Sequence, residues 1–304
     1  MMSKVVGIGA CVLDTLITLP KFPPEDTKLR ATSTKLVGGG PTATGIVAVS
    51  KLGISAEFLG NLSDDSSGAY LKGDFEKYGV GTDNIKMIPG YRAFTSCIWL
   101  NSAEGTRTCV FDKGDLPALK LDDNQIEAIK NAEVLMVDGN EMDAAVEAAK
   151  IARENGTKVL YDCGGLYEGV ERLLALTDVM IPSEEFAMGH TGEKDAASAA
   201  KKLYELYHPE YVVVTRGKFG GLLYDGNTVT EYPIYPADVV DSNGSGDVFH
   251  GAFASAVVRG YTPIQCCHFS SCVSALKCMG VGARESVPCF DATIEYLRRN
   301  GYEL

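Results

Sequence analysis

Three clusters in this chain have the residue types and spacing to do chemistry. The first is Asp241-Ser-Asn-Gly-Ser-Gly-Asp247, which runs at once into Val-Phe-His-Gly-Ala-Phe, a helical pattern. A Gly-Ser-Gly turn entering a helix gathers backbone N–H groups around a point that favours anions. Gly244 and Gly246 give the turn its conformational freedom, with Ser245 between them. Asp247 closes the turn, and a carboxylate there would repel a phosphate. As a first-turn acid it would simply answer the helix dipole. A second role reconciles the charges: Asp247 accepts a proton from an attacking hydroxyl while Gly244, Ser245 and Gly246 form a hole for the phosphoryl group in transfer. No Gly-Lys-Ser/Thr follows, so this is not the Walker-type phosphate loop.

The second cluster is Gly38-Gly-Gly-Pro-Thr-Ala-Thr-Gly45, between the strand-like Lys35-Leu-Val37 and a helix carrying Ile46, Val47 and Val49. Gly38-x-Gly40-x-x-Ala43 has the spacing of a dinucleotide fingerprint, with Glu57 beyond it as a ribose ligand, but it follows another strand instead of opening the first βαβ unit. It equally suits a tight strand-to-helix turn, or a floor where backbone approaches a polyhydroxylated substrate. Asp14 is read at the carboxyl end of the first strand, where it can accept two hydroxyls or start a turn. In the third cluster, Val214-Thr-Arg-Gly-Lys-Phe-Gly220, a strand opens into a glycine-bearing loop, a weak nucleotide signal when taken alone.

The elements that must position these residues are short apolar runs alternating with helical patterns. Residues 133–138, 158–162, 178–181 and 211–215 read as buried strands, and Ala145, Ala149 and Ala152, then Ala196, Ala200, Leu203 and Tyr207, mark helix faces between them. That alternation predicts an α/β fold, a mostly parallel sheet covered on both faces, with ligands at the carboxyl ends of its strands. Residues 15–37 and 91–112 break the pattern with short polar–apolar alternation, and Ser102-Ala-Glu-Gly105 reads as a hairpin turn. They predict a small antiparallel sheet acting as a lid. The α/β domain would then comprise residues 1–14, 38–90 and 113–304. A second hairpin turns at Asp225-Gly226.

The 304 residues are 45% hydrophobic and 22% charged, enough for a large core. A net charge of −12 argues against nucleic acid and anionic membrane as partners. No apolar run approaches a membrane span, and the N-terminal run, interrupted by glycines, reads as a strand and not as a signal peptide. Nine cysteines without a secretion signal suggest reduced thiols in a cytoplasm. Cys266, Cys267, His268 and Cys272 sit in a helical pattern opened by Thr262-Pro263, so they are read as core residues and not as zinc ligands.

In order along nearly the whole chain, these pieces resemble the ribokinase/phosphofructokinase-B family of carbohydrate kinases. Gly60-Asn-Leu-Ser-Asp-Asp-Ser-Ser-Gly68 is similar to the family's G-x-x-x-D-D-x-x-G, Gly105-Thr-Arg107-Thr108 to its lid hairpin, and Asp241–Asp247 to its D-T-x-G-A-G-D. The resemblance implies a three-layer ribokinase-like sandwich with a β-sheet lid, and ATP-dependent phosphorylation of a sugar's primary hydroxyl with Asp247 as base. It implies sugar contacts from Asp14, Gly39, Gly40, Thr44 and Arg107. Nucleotide contacts would come from Thr215, Gly217, Gly220 and Ser183. ATP, Mg²⁺ and a K⁺ held near Asp241 and Ser286 are the implied cofactors, and a homodimer through the lid is the implied assembly. Thr44 stands where the family has a sugar-contacting Asn, and the Gly-Gly-Gly-Pro-x-Ala-Thr form is more similar to the fructose and sulfofructose branch. Ser183 and Phe186 replace the family's Asn and Glu in its Asn-x-x-Glu motif. Alternatives are a nucleoside kinase, for which Phe94, Trp99 or Phe111 would carry the base, a non-catalytic sugar or nucleotide sensor, and, more distantly, a dinucleotide-dependent dehydrogenase.

Overall fold

The structure, a computed structural model, describes residues 3–104 and 106–304. Met1 and Met2 of the N-terminal segment, and Gly105 of the expected hairpin turn, lie outside the described residues. The strands, in chain order, are β1 (Val5–Ile8), β2 (Val12–Leu19), β3 (Ser33–Gly39), β4 (Ala56–Phe58), β5 (Gly60–Ser63), β6 (Ile85–Ile88), β7 (Thr95–Asn101), β8 (Thr106–Asp112), β9 (Val134–Val137), β10 (Lys158–Cys163), β11 (Val179–Pro182), β12 (Tyr211–Thr215), β13 (Gly221–Tyr224) and β14 (Val229–Tyr232). The helices are α1 (Pro41–Lys51), α2 (Ser66–Lys77), α3 (Asp123–Asn131), α4 (Met142–Glu154), α5 (Val170–Leu174), α6 (Glu184–Thr191), α7 (Ala196–Tyr207), α8 (Ser245–Val258), α9 (Pro263–Cys278) and α10 (Phe290–Arg299).

Eight strands form the main sheet in the order β14-β13-β12-β11-β10-β9-β1-β4. β12 to β4 run parallel, and β13 and β14 add an antiparallel edge through the Asp225-Gly226 hairpin. Successive side chains of one strand serve opposite faces. Val134 and Met136 pack with α1, α8 and α9, whereas Leu135 and Val137 pack with α3, α4 and α7. Each fully buried Val, Leu or Ile contributes about 1.5–3 kcal/mol, so these strand runs hold the three layers together.

The smaller sheet has the order β3-β2-β7-β8. It is mixed, not antiparallel as its alternation suggested: β2 and β7 pair in parallel from Leu13↔Thr95 to Leu19↔Asn101. Both strands leave the main domain in the same direction, and only the outer pairs, β2–β3 and β7–β8, are antiparallel. The Asp-Asp motif before α2 is explained locally. Asp65 caps that helix, accepting the Ser67 and Gly68 N–H groups at 2.9 and 3.0 Å, and any Cβ on Gly68 would strike the Ser63 carbonyl. No helix among the described residues is long and apolar enough to cross a membrane.

Candidate active site

The start of α8 packs near the carboxyl ends of β9 and β10, and the charges that act on Asp247 there include Asp138 after β9 and Arg107 of the small sheet. The 241–247 turn runs into this helix. Gly244 precedes α8 with φ +71°, and a Cβ there would come within 2.5 Å of Ala283 Cβ. Ser245 N–H bonds back to the Ser242 carbonyl at 3.2 Å and Val248 N–H to the Gly244 carbonyl at 3.0 Å, so the N–H groups that a helix start leaves for another acceptor are those of Gly244, Gly246 and Asp247. A Cβ on Gly246 would meet open space, which is where an anion could approach the backbone. Asp247 lies in the first turn. Burial raises its pKa above the ordinary carboxylate value, His250 opposes that shift, Asp138 adds to it, and Arg107 and Arg284 oppose it.

Asp14 is corrected in place. The first strand ends at Ile8, and Asp14 is the third residue of β2, in the small sheet. The break between the strands holds Gly9 and Ala10, where the buried Asp138 carboxylate accepts Ala10 N–H at 2.9 Å and Thr42 N–H at 3.1 Å. Asp14 is buried and accepts a 2.6 Å hydrogen bond from Ser96 Oγ. Burial pushes its pKa up, Ser96 and Arg284 oppose the shift, and the Asp247 charge adds to it. The Asp247 charge thus reaches Asp14 across the two sheets.

Asp14, Ser96 and Phe111 are direct cross-strand neighbours, so they share a face, and Arg107 lies on it four residues before Phe111. Gly39 and Gly40 form the floor. A Cβ on Gly39 would overlap Asp14 Oδ2, and Gly40, with φ +94°, passes so close to Ala10 that a Cβ would overlap its carbonyl. Thr44 is fully buried, and its hydroxyl has no hydrogen-bond partner. Gly38 and Gly39 end a strand of the small sheet, and Glu57 accepts from Asn84 Nδ2 at 2.8 Å. The glycines therefore do not open a first βαβ unit, and the dinucleotide reading has no support.

The nucleotide candidates gather at the ends of β11 and β12. Ser183 and Thr215 form a parallel bridge between the ends of the two strands, Gly217 (φ +52°) opens a single 3₁₀ turn, and Gly220 (φ +79°) closes it. Ser183 caps α6, its Oγ accepting Phe186 N–H at 3.1 Å, and Phe186 is buried against His190 with ring centroids 5.6 Å apart. Phe186 offers no oxygen to a metal. Among the described residues no three His, Cys, Asp or Glu side chains group around one point. Mg²⁺ is commonly held by one or two carboxylates, water and the substrate's phosphates, and Glu184 and Glu185, in the first turn of α6, are the carboxylates that would serve it here.

A monovalent cation fits less well. It would need several converging oxygens, and here they are taken. Lys277 Nζ donates to the Asp241 and Asn243 carbonyls at 2.7 and 2.5 Å. Asp241 Oδ1 and Oδ2 each accept a backbone N–H, from Asn243 and Gly282, at 2.9 Å. Ser286 Oγ is bonded to the Gly282 carbonyl. The residues present do not fit K⁺.

Sequence reasoning missed Asp138, Asp162, His250, Lys277 and Arg284. Both ring nitrogens of His250 face oxygens, Nδ1 the Gly246 carbonyl at 2.7 Å and Nε2 the Ile181 carbonyl at 2.9 Å, with Asp162 Oδ2 3.3 Å from Nδ1. Burial lifts the Asp162 pKa above the ordinary carboxylate value against the opposing pull of His250. Arg284, buried, bridges Asp74 at 2.6 Å and the Gly39 carbonyl at 2.8 Å. The available signal was polarity in apolar patterns: Lys277 follows Phe269 and Val273 on one helical face, and His250 sits among Phe249, Ala252 and Phe253.

The chain matches the family model of the pfkB family carbohydrate kinases over residues 2–289. It is 26% identical over 301 residues to a ribokinase of Bacillus subtilis, covering 97% of this chain and all of that one. It is 25% identical over 307 residues to a bifunctional ribokinase/ribose-5-phosphate isomerase A of Fructilactobacillus sanfranciscensis, covering 98% of this chain but spanning only 57% of that protein. Its fold is shared with Arabidopsis thaliana ribokinase, solved with ribose and ATP, at a TM-score of 0.88 and 24% identity over 98% of this chain and 99% of the other. With a match across nearly its whole length, a glycine turn closed by Asp247 and a sheet facing it with Asp14, the chain belongs to the pfkB family and is an ATP-dependent sugar kinase.

Proposed function

We propose that this kinase phosphorylates a primary hydroxyl of a ketohexose-like sugar, with Asp247 as the general base. The observation that carries the proposal is the pairing of Asp247 with the open backbone at Gly246, opposite Asp14. The sugar lies between Asp14 and the Gly39–Gly40 floor, which Thr44 supports from beneath, with Arg107 reaching over from β8. ATP lies along Thr215, Gly217 and Gly220, with Ser183 at the edge and Mg²⁺ carried on its phosphates. Asp247 takes the hydroxyl proton, the sugar oxygen bonds to the γ-phosphorus, and the bond to the β,γ-bridging oxygen breaks to release ADP. Gly244 to Gly246 receive the charge of the phosphoryl oxygens as it redistributes.

Residues 15–37 and 91–112, read as the lid, would close over the sugar and pair two copies of the chain. The exposed Leu36, Val110 and Phe111 of that sheet support this. A nucleoside acceptor is the second reading, favoured by Phe94 and Phe111, whose rings lie 5.8 Å apart at the sugar side. ADP release with a panel of free sugars, sugar phosphates, adenosine, inosine and cytidine separates the two. With the preferred acceptor, Asp247→Asn should lower kcat about 10²–10⁴-fold. Undiminished turnover in that variant would remove Asp247 from the mechanism, and a preference for nucleosides would replace the sugar.

A further inference from the structure

We propose that the Lys277 ammonium takes the place of a bound monovalent cation beneath the phosphate turn, so that this kinase turns over without K⁺. The inference rests on reading Gly244 to Gly246 as the anion hole. Lys277 has no exposed surface, and a lysine there needs a reason, because burying an unpaired ammonium is costly. The compensation is specific. Two carbonyls, of Asp241 and Asn243, accept from its Nζ. It lies in the last turn of α9, where the helix dipole favours a cation. Burial lowers its pKa, while the Asp241 and Asp247 charges oppose the shift.

The placement also shapes the turn. In a planar trans peptide the C=O and N–H point in opposite directions. Drawing the Asn243 carbonyl onto Lys277 therefore directs the Gly244 N–H to the far side, toward the space the phosphoryl group would fill. The same helix fixes the next part of the turn. Ser274 Oγ donates to the Ser245 carbonyl at 2.9 Å, and the Cys278 carbonyl accepts the Val240 and Asp241 N–H groups at 2.8 and 3.1 Å. One helix end thus supplies a positive charge and the anchoring that diffusible ions provide only when their concentration suffices. A tethered ammonium is always present.

The test uses the full chain exchanged into tetramethylammonium salts, with ATP, Mg²⁺ and the acceptor found in the panel. Wild-type turnover should change by less than about twofold when KCl replaces tetramethylammonium chloride, since screening is then constant. Lys277→Met should lose about 10²-fold, the scale of one disrupted anion-hole element, and K⁺ or NH₄⁺ should restore at least about tenfold of it. Severalfold activation of the wild type by K⁺, or full turnover in Lys277→Met without added cation, would overturn the proposal. If Lys277→Met does not fold without cation, its thermal midpoint should rise with KCl and not with tetramethylammonium chloride; a rise with neither also counts against the idea. A Tl⁺-soaked crystal of the wild type gives a reading independent of turnover. Tl⁺ on the Asp241 and Asn243 carbonyls overturns it, and its absence there supports it even if no acceptor is phosphorylated, an outcome that would instead remove the phosphotransfer reading.

Discussion

In the proposed reading, the phosphate end and the sugar end of the site are built by different means. The phosphate end is backbone, held from below by side chains of α9: the half-buried Ser274 and the buried Lys277 hold carbonyls of the turn, and the Gly282 N–H ties its first residue to the next loop. The sugar end is a row of side chains on a thin sheet. Its outer strand, β8, is exposed over its described length, with Val110 67% and Phe111 61% accessible. An anion hole has to be rigid before its substrate arrives, so it is set into a helix end and a core. If the small sheet is the lid proposed above, it has to move, and an open sheet whose outer strands β3 and β8 are largely exposed is cheap to displace.

If that contrast is right, equivalent substitutions at the two ends should differ in kind. Gly244→Ala forces a side chain into a left-handed position and against Ala283. It should lower kcat about 10²-fold with a smaller change in sugar KM. Gly39→Ala meets the Asp14 carboxylate, so sugar KM should rise about tenfold or more while KM for ATP changes little. Steady-state kinetics with both substrates varied would check the pair. Matching patterns in the two variants would dissolve the distinction.

The pH profile sharpens it further. Because Asp247 titrates above the ordinary carboxylate range, and only its ionised form accepts a proton, kcat/KM should fall as pH drops through a limb above that range. Arg107 is a charge that lowers this pKa, so Arg107→Ala should move the limb to higher pH. An unmoved limb would place the lid arginine away from the closed site. The smallest effect belongs to the outer edge. Val110→Asp should leave kcat within about twofold and stability within about 0.5 kcal/mol, as for an exposed position, while light scattering reports a dimer becoming a monomer. A wild-type monomer, or a variant that stays dimeric, would separate the lid from assembly.

What could be read in advance follows the same division. The turn from Asp241 to Asp247 is contiguous, so its place at the start of a helix was legible wherever the rest of the chain went. The main sheet was legible too, because strands buried on both faces write themselves as apolar runs. Asp14 was misplaced for a physical reason: the three-residue break between β1 and β2, Gly9 to Cys11, is made of small residues that read as part of one strand, yet it moves the acid from one sheet to another. The parallel pairing of β2 and β7 was equally hidden, since alternation records which face a residue occupies and not the direction of its neighbour.

Sequence by itself therefore determined the α/β class, the glycine turns and the identity of the acid at the helix start, all of them consequences of local backbone chemistry and of hydrophobic period. Tertiary structure alone decided that Asp138 and Asp162, from different elements, add their charge to that acid and its helix neighbour His250, and that Lys277 lies under the turn. Parallel strands bring residues distant in sequence to one edge. The meaning of a buried lysine depends on which carbonyls the fold places around it.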